Sequence, residues 1–190
     1  MTRPLRAIAA TAACALALVA CTTTDPNAGG AGGGSGDPQQ VRTGAGVTDT
    51  EIAIGVLTDL SGPFAAGAAV QVQEKQAYWD ARNAQGGICG RQVRLEVQDH
   101  GYDPQRAVSL YRAMAPNVVA LQQVLGSPVV AAILPLAEED RLYVGGMGWP
   151  SVALDFEVAQ LPGTTYSIES ANAVDFLVDQ RGIAPGSRIG

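Results

Sequence analysis

The 190-residue chain carries 12 basic and 18 acidic residues, for a net charge of −6, and three cysteines. A chain with this acidic balance has no basic patch to neutralise phosphates, which argues against a nucleic-acid partner. Once an N-terminal processing segment and the glycine-rich segment after it are set aside, about 140 residues remain, enough for one core of single-domain size.

The first 20 residues have the pattern of a secretory signal, with two arginines before an apolar stretch that is too short to span a bilayer comfortably. Residues 18–21 (LVAC) resemble a bacterial lipoprotein signal, which implies cleavage before Cys21 and a lipid on its sulfur. An ordinary secretory peptide with an incidental cysteine is the alternative. Residues 21–47 are glycine-rich and lack the apolar content to fold, so we predict a flexible tether.

The cysteines are consistent with export. Cys14 leaves with the signal segment and Cys21 would carry the lipid, which leaves Cys89 without an internal partner. Cys89 is therefore either a buried hydrophobic residue or the partner of a cysteine outside this chain.

The first predicted element of the fold is a strand over residues 52–57, a short apolar run that ends at Asp59 and is typical of a strand buried on both faces. The Ser61-Gly62-Pro63 turn then breaks it, and a helix is predicted over residues 67–85. A strand, a turn and a helix in this order begin a parallel α/β sheet. Ligands of such sheets bind at the carboxyl ends of the strands.

The remaining elements continue this alternation. Residues 93–98 alternate apolar and polar side chains, which predicts a half-exposed strand near a sheet edge. Asp103 and Pro104 predict the cap and first turn of the next helix. Further strands are predicted at 118–121, 142–144 and, after an irregular segment over 150–163, at 164–168, with helices at 129–137 and 171–181.

This order of elements predicts a doubly wound parallel α/β sheet. Residues 187–190 read as the beginning of another strand. We therefore expect a first α/β lobe over residues 48–168 and an incomplete second lobe over residues 169–190. The chain contains no run of roughly 18 apolar residues typical of a membrane-spanning helix.

Four separated motifs then occur in one order: IAIGVLTDLSGP, NAQGGICGR, DHGYDPQRAV and LGSPVVAAILPLAEED. Together they resemble the type I periplasmic-binding-protein superfamily, specifically the branched-chain amino-acid-binding proteins of ABC importers. The resemblance covers residues 48–190. It implies two α/β lobes that close on a ligand, with the first lobe and only the opening of the second present in this chain.

The resemblance places ligand-binding residues in three loops at the carboxyl edge of the sheet. These are Ser61 and Phe64 after the first strand, Gly126 and Ser127 after the third, and Met147, Gly148 and Trp149 after the fourth. Ser127 precedes a helix that begins with proline, where free N–H groups favour an anion. In the family the matching serine helps to hold the ligand carboxylate. The alternative is that Ser127 only caps its helix.

Two residues depart from the family pattern and weaken the case for an amino-acid ligand. Trp149 stands where a small hydroxyl residue is expected, and Ala66 stands where an aromatic residue is common. Trp149 either stacks on a flat or apolar part of the ligand or fills the edge of the lobe. The family often has a disulfide between the loops that hold Tyr102 and Leu125 here. Neither is cysteine. Because Cys89 is an odd thiol in a chain that is predicted to be exported, we expect any partner of it to lie beyond residue 190.

Asp59, Asp99 and His100 lie at or just past strand ends, which raises the possibility of catalysis. The chain has no nucleophile elbow and no cluster of cysteine and histidine with metal-ligand spacing. Carboxylates after parallel strands more often cap the following turn. We therefore predict no catalytic residues, no metal, no cofactor and no enzyme activity.

The sequence favours a lipid-anchored protein outside the cytoplasm that binds a small polar or amphipathic ligand, such as an amino acid or amide, and delivers it to ABC permease subunits. The expected mechanism is closure of two lobes around the ligand, without chemistry. A ligand sensor with the same fold is the main alternative, and a lipoprotein hydrolase is a further one.

Overall fold

The computed structural model of the chain describes residues 42–184 and 186–188, so the predicted signal segment and Cys21 lie outside the described residues. Five parallel strands form one sheet in the order β2-β1-β3-β4-β5. The strands are β1 (Glu51–Thr58), β2 (Gln92–Asp99), β3 (Ala120–Leu125), β4 (Val144–Met147) and β5 (Ala159–Gln160). The predicted parallel α/β class is confirmed.

Helices cover both faces of the sheet. Leu121 of β3 packs in one core with residues of the second and third helices. Its neighbour Gln122 points the other way, because side chains alternate along a strand, and accepts a hydrogen bond from Trp79 Nε1 of the first helix at 3.0 Å. The helices are α1 (Ala65–Ala84), α2 (Pro104–Met114), α3 (Ser127–Asp140) and α4 (Tyr166–Arg181), with 3₁₀ turns at Ala115–Asn117 and Ser151–Asp155.

Several elements follow their sequence signals closely. Val56 and Leu57 of β1 are fully buried, and β1 has a strand on each side. β2 lies at the edge of the sheet and is mostly half-buried, as its alternating pattern predicts. The Asp103 carboxylate accepts hydrogen bonds from the Gln105 and Arg106 N–H groups at 2.8 and 3.2 Å, which confirms the predicted cap of α2.

The predicted fifth strand over residues 164–168 is wrong. β5 is a two-residue strand inside the segment predicted to be irregular, and α4 already begins at Tyr166. Thr165, Tyr166 and Ile168 favour strands by propensity, but Glu169 in the first turn and the small residues after it favour the helix. The predicted lobe boundary at 168 consequently lies inside α4.

The third and fourth strands begin two residues later than predicted and extend further along the chain. β3 continues through Gln122 and Gln123, and each side chain makes a hydrogen bond there, Gln123 by donating from Nε2 to Thr58 Oγ1 at 2.9 Å. β4 runs through the glycines that were assigned to a loop. A methyl group at Gly145 would lie 2.4 Å from the Gln122 carbonyl oxygen, so the close approach of these strands requires glycine there.

The last residues of the predicted tether belong to the fold. Gly44 and Val47 exchange backbone hydrogen bonds of 2.9 and 3.0 Å, and the Gly46 carbonyl accepts one from Ala53 at 2.7 Å. Gly46 has a φ of 69°, and a methyl group there would lie 2.2 Å from the Val119 nitrogen. The tether prediction is therefore wrong for residues 44–47, where close packing rather than flexibility explains the glycines.

The alternative that Cys89 is a buried hydrophobic residue is wrong, because its side chain is exposed and its φ is 49°. A cysteine partner beyond residue 190 stays a prediction. Across residues 42–184 and 186–188, the structure contains no helix with the length and apolar character needed to cross a bilayer.

Candidate functional site

The turn after β1 is built around Asp59. Its fully buried carboxylate accepts hydrogen bonds from the N–H groups of Ser61, Gly62 and Phe64, the last at 2.9 Å. A methyl group at Gly62 would lie 2.6 Å from the same carboxylate, which explains the glycine. Asp59 therefore shapes the turn that presents Ser61 and Phe64, and these contacts favour a capping role over a catalytic one.

Asp99 joins this turn to the turn after β2. Its carboxylate accepts hydrogen bonds from Leu60 N at 2.8 Å, Ser61 Oγ at 2.7 Å and Gly101 N at 2.9 Å. Burial by itself would raise the pKa of Asp99, but these hydrogen bonds and the Arg106 guanidinium outweigh it and lower the pKa to about 2. The Ser61 hydroxyl is thus committed as a donor to Asp99.

His100 fixes the backbone of Tyr102. The fully buried imidazole accepts a hydrogen bond from the Tyr102 N–H at Nδ1, over 3.0 Å, so its neutral form carries the proton on Nε2. Burial lowers the pKa of His100 although Asp59 and Asp99 lie close enough to raise it. The imidazole therefore stays neutral and holds Tyr102 at a φ of 64°.

These two groups predict that the fold loses stability in acid. The pKa of Asp99 is lowered from 3.8 to about 2. Its contribution to the free energy of unfolding is therefore complete above about pH 4 and is lost as the pH falls to about 2. The pKa of His100 is lowered from 6.5, so the unfolded chain takes up a proton first below that pH. We expect the melting temperature of the whole protein to fall steadily from neutral pH into acid.

The matching variant is His100→Asn, whose side-chain oxygen can still accept the Tyr102 N–H but does not titrate. We expect its melting temperature to depend less steeply on pH just below pH 6.5 than that of the wild type. Thermal unfolding at a series of pH values measures this. Identical slopes in the two proteins would show that His100 does not carry the effect.

Ser127 is the first residue of α3 and not its cap. The capping position belongs to Gly126, with a φ of 100°, and no side chain caps this helix. The first intrahelical bond runs from Val130 N to Gly126 O, so the N–H groups before Val130 have no carbonyl within the helix. The Ser127 hydroxyl instead lies 3.5 Å from the Tyr166 hydroxyl. The interpretation of Ser127 as only a cap is therefore wrong.

The loop after β4 is pressed against this helix end. Gly126 N donates to the carbonyl of Met147 at 2.9 Å, and Met147 is the last residue of β4 rather than, as predicted, part of the loop after it. A methyl group at Gly148 would lie 2.5 Å from Ser127 N, so glycine is required for the close approach. The structure thus brings together Gly126, Ser127, Met147 and Gly148, as the sequence predicts for loops at one sheet edge.

Two pairs of aromatic rings lie beside the same helix end. Phe64 and Tyr102 have ring centroids 4.9 Å apart, and Trp149 and Tyr166 have centroids 5.7 Å apart. A methyl group at Gly126 would lie 2.4 Å from the Tyr102 ring, and Tyr166 reaches Ser127 through its hydroxyl. We call Phe64, Tyr102, Trp149 and Tyr166 the aromatic set. Both pairs therefore border the start of α3.

Tyr102 and Tyr166 were not predicted as site residues. Tyr102 follows β2 at the same sheet edge, so its position in the sequence carried a usable signal, whereas Tyr166 was assigned to a strand. Trp149 is half-buried, and its buried Nε1 has no hydrogen-bond partner among the described residues. A buried donor of this kind is normally satisfied by a ligand or by water.

The described residues contain no group of three or more histidine, cysteine, aspartate or glutamate side chains placed to hold a metal ion. The groups present at this edge offer hydrogen bonding, helix-end electrostatics and apolar contact. It comprises an anion-favouring helix N-terminus, hydroxyl groups and exposed or half-buried aromatic rings.

Comparison with protein families decides the classification. Residues 51–190 match the model of the family described as periplasmic binding protein. The chain belongs to the periplasmic binding protein family. Its parallel sheet matches the type I form of that family, whose members are solute-binding proteins rather than enzymes. Membership implies a location outside the cytoplasm.

Solved structures agree with this classification. A fatty acid ABC transporter substrate-binding protein from Thermomonospora curvata is 40% identical, with a TM-score of 0.73 over 78% of this chain and 38% of that one. A possible leucine/isoleucine/valine-binding protein from Rhodopirellula baltica SH 1 is 26% identical, with a TM-score of 0.64 over 72% of this chain and 37% of that one. This periplasmic binding protein chain thus spans less than two fifths of either. A search of the curated proteins found no match.

Proposed function

We propose that the protein is the lipid-anchored substrate-binding protein of an ABC importer and that it binds an amphipathic carboxylate. The observation that carries the proposal is the position of the aromatic set around the N-terminus of α3. The helix N-terminus suits a negatively charged group and the aromatic set suits an apolar group, and the two lie side by side.

The carboxylate would bind at the start of α3. The N–H groups before Val130 have no intrahelical acceptor, and the helix dipole favours negative charge there. The Ser127 hydroxyl does not cap the helix and can donate to the ligand. Gly126 and Gly148 keep this helix end free of side-chain bulk.

The apolar part of the ligand would lie against the aromatic set. Phe64 is 50% exposed and Tyr166 is 45% exposed, so both rings have surface to bury on binding. Each buried methylene group contributes about 0.8 kcal/mol, which favours a hydrocarbon chain over a small polar side chain. Trp149 extends this surface, in place of the small hydroxyl residue expected for an amino-acid ligand.

The similar solved structures support an amphipathic ligand. The 40% identical protein is described as a fatty acid transporter component, and the 26% identical protein as a possible binder of leucine, isoleucine or valine. Both kinds of ligand combine a carboxylate with an apolar portion. Of these two kinds of ligand, the aromatic set favours a fatty acid.

Delivery would follow the scheme expected from the sequence. Lipid on Cys21 and the glycine-rich segment would hold the protein at the membrane, and two lobes would close on the ligand to create the form that permease subunits recognise. A sensor of the same fold would use the same site. Co-purification of permease subunits with the membrane-anchored protein distinguishes the two.

Ser127→Ala tests the proposal. We expect the variant to bind decanoate more weakly by about 1.5–3 kcal/mol, since a hydrogen bond to a charged group is lost. Because Ser127 does not cap α3, the melting temperature of the Ser127→Ala protein should stay close to that of the wild type. Calorimetric titration and thermal unfolding of the whole protein measure the two quantities.

Ser109→Ala is the matched control, since its hydroxyl donates to the Gln105 carbonyl at 3.2 Å on the exposed side of α2. This variant should bind decanoate as the wild type does. A Ser127→Ala protein with unchanged affinity would contradict the placement of the carboxylate at α3.

A further inference from the structure

A cavity lies at the opposite end of the sheet from the aromatic set. Its volume is about 550 Å³, within the range of small-molecule sites. Val118 and Leu142 in its wall precede β3 and β4, which places the cavity at the amino ends of these strands. The lining residues are Ala45, Arg112, Ala115, Pro116, Val118, Val119, Asp140, Arg141 and Leu142.

Two arginines on this cavity lack a carboxylate partner. Neither Arg112 nor Arg141 makes an ion pair or a side-chain hydrogen bond with any residue in the described ranges. Asp140 is the one acidic residue of the lining, and the Tyr111 hydroxyl donates to it at 2.7 Å. Both side chains are exposed, and both line this one cavity, so a ligand in it would meet two guanidinium groups.

The backbone conformation of Arg141 also supports a role for its side chain. Arg141 follows α3 in the left-handed conformation, with φ 53° and ψ 37°, where helices commonly place glycine. A residue with a side chain is uncommon in that conformation and carries a conformational cost. An arginine at this position suggests a use for its side chain, since glycine would serve the fold better.

We propose that this cavity binds a phosphate monoester. Each guanidinium group offers a planar fork of donors. A phosphate monoester has three non-ester oxygens and can accept from both Arg112 and Arg141, whereas the two oxygens of a carboxylate are filled by one fork. The apolar wall formed by Val118 and Leu142 would contact the carbon portion of the ester. Both phosphatidic acid, a phospholipid, and a soluble phosphate monoester have this chemistry.

The test uses the whole protein with two probes, glycerol 3-phosphate in calorimetry and phosphatidic acid vesicles in flotation, with phosphatidylcholine vesicles as the reference of zero net charge. Arg141→Gly and Arg112→Gln are each expected to weaken binding about tenfold or more. Arg141→Gly should melt no lower than the wild type, because glycine suits the left-handed conformation. Arg82→Gln, which removes a basic residue from the last turn of α1 as Arg112→Gln does from α2, is expected to bind like the wild type.

Arginine-dependent binding of glycerol 3-phosphate identifies a soluble monoester, and arginine-dependent flotation with phosphatidic acid alone identifies a lipid headgroup. Absence of binding to both probes overturns the proposal, and so does binding that both arginine variants retain. Decanoate binding should be unchanged in these variants, so a failure here is distinguishable from a failure of the proposed function.

Discussion

Replacement of Gly148 by alanine is expected to damage both stability and ligand binding. The added methyl group would lie 2.5 Å from Ser127 N and 2.8 Å from the Gly126 carbonyl carbon, which are backbone atoms and cannot rotate away. Overpacking of this kind costs about 1–3 kcal/mol of unfolding free energy. Because the displaced atoms are the start of α3, affinity for decanoate should fall as well.

Gly163→Ala is the matched control for this prediction. A methyl group there would meet the Trp149 ring at 3.9 Å, an ordinary van der Waals contact. Denaturant unfolding and calorimetry should show a near-normal Gly163→Ala protein beside an impaired Gly148→Ala protein. Equal stability and affinity in the two variants would mean that the loop after β4 does not press on α3 as described.

Much of the fold was predictable because its signals are local. The apolar run of β1, the alternation in β2 and the Asp103-Pro104 start of α2 each depend on neighbouring residues, and the structure confirms all three. The order of these elements was then enough to predict a parallel sheet. The motif resemblance and the family match agree with that result.

The errors occurred where long-range pairing decides the structure. The sequence predicts that the third strand ends before Gln122 and Gln123. Their side chains are nevertheless hydrogen-bonded within the fold, to Trp79 and Thr58, which are far away in the sequence. Gly46 was assigned to a flexible tether because its packing against Val119 is not visible in the sequence. Polar residues and glycines inside a strand or a packed segment depend on contacts with residues far away in the sequence, and a single sequence does not reveal those contacts.

The candidate site was predictable by position but not in its full composition. Parallel strands bring their following loops to one edge, so Phe64, Ser127 and Trp149 could be named from the sequence. Tyr166 could not, because it reaches Ser127 from the start of a helix that was assigned partly to a strand. The two aromatic pairs are a product of tertiary packing.

The ligand should require both a carboxylate and a hydrocarbon chain. Decanol has the chain of decanoate without its charge, so it loses the charged hydrogen bonds at the start of α3. A loss of about 1.5–3 kcal/mol corresponds to an affinity about 10- to 100-fold weaker. Acetate has the charge without the chain and forfeits about 0.8 kcal/mol for each methylene group that the aromatic set would bury.

The most direct test of this account is a calorimetric titration of the whole protein with decanoate, decanol and acetate under one set of conditions. We predict that decanoate binds most tightly, and that decanol and acetate are each weaker by at least about tenfold. Equal affinities for decanoate and decanol, or no binding of decanoate, would contradict the proposal of an amphipathic carboxylate held between α3 and the aromatic set.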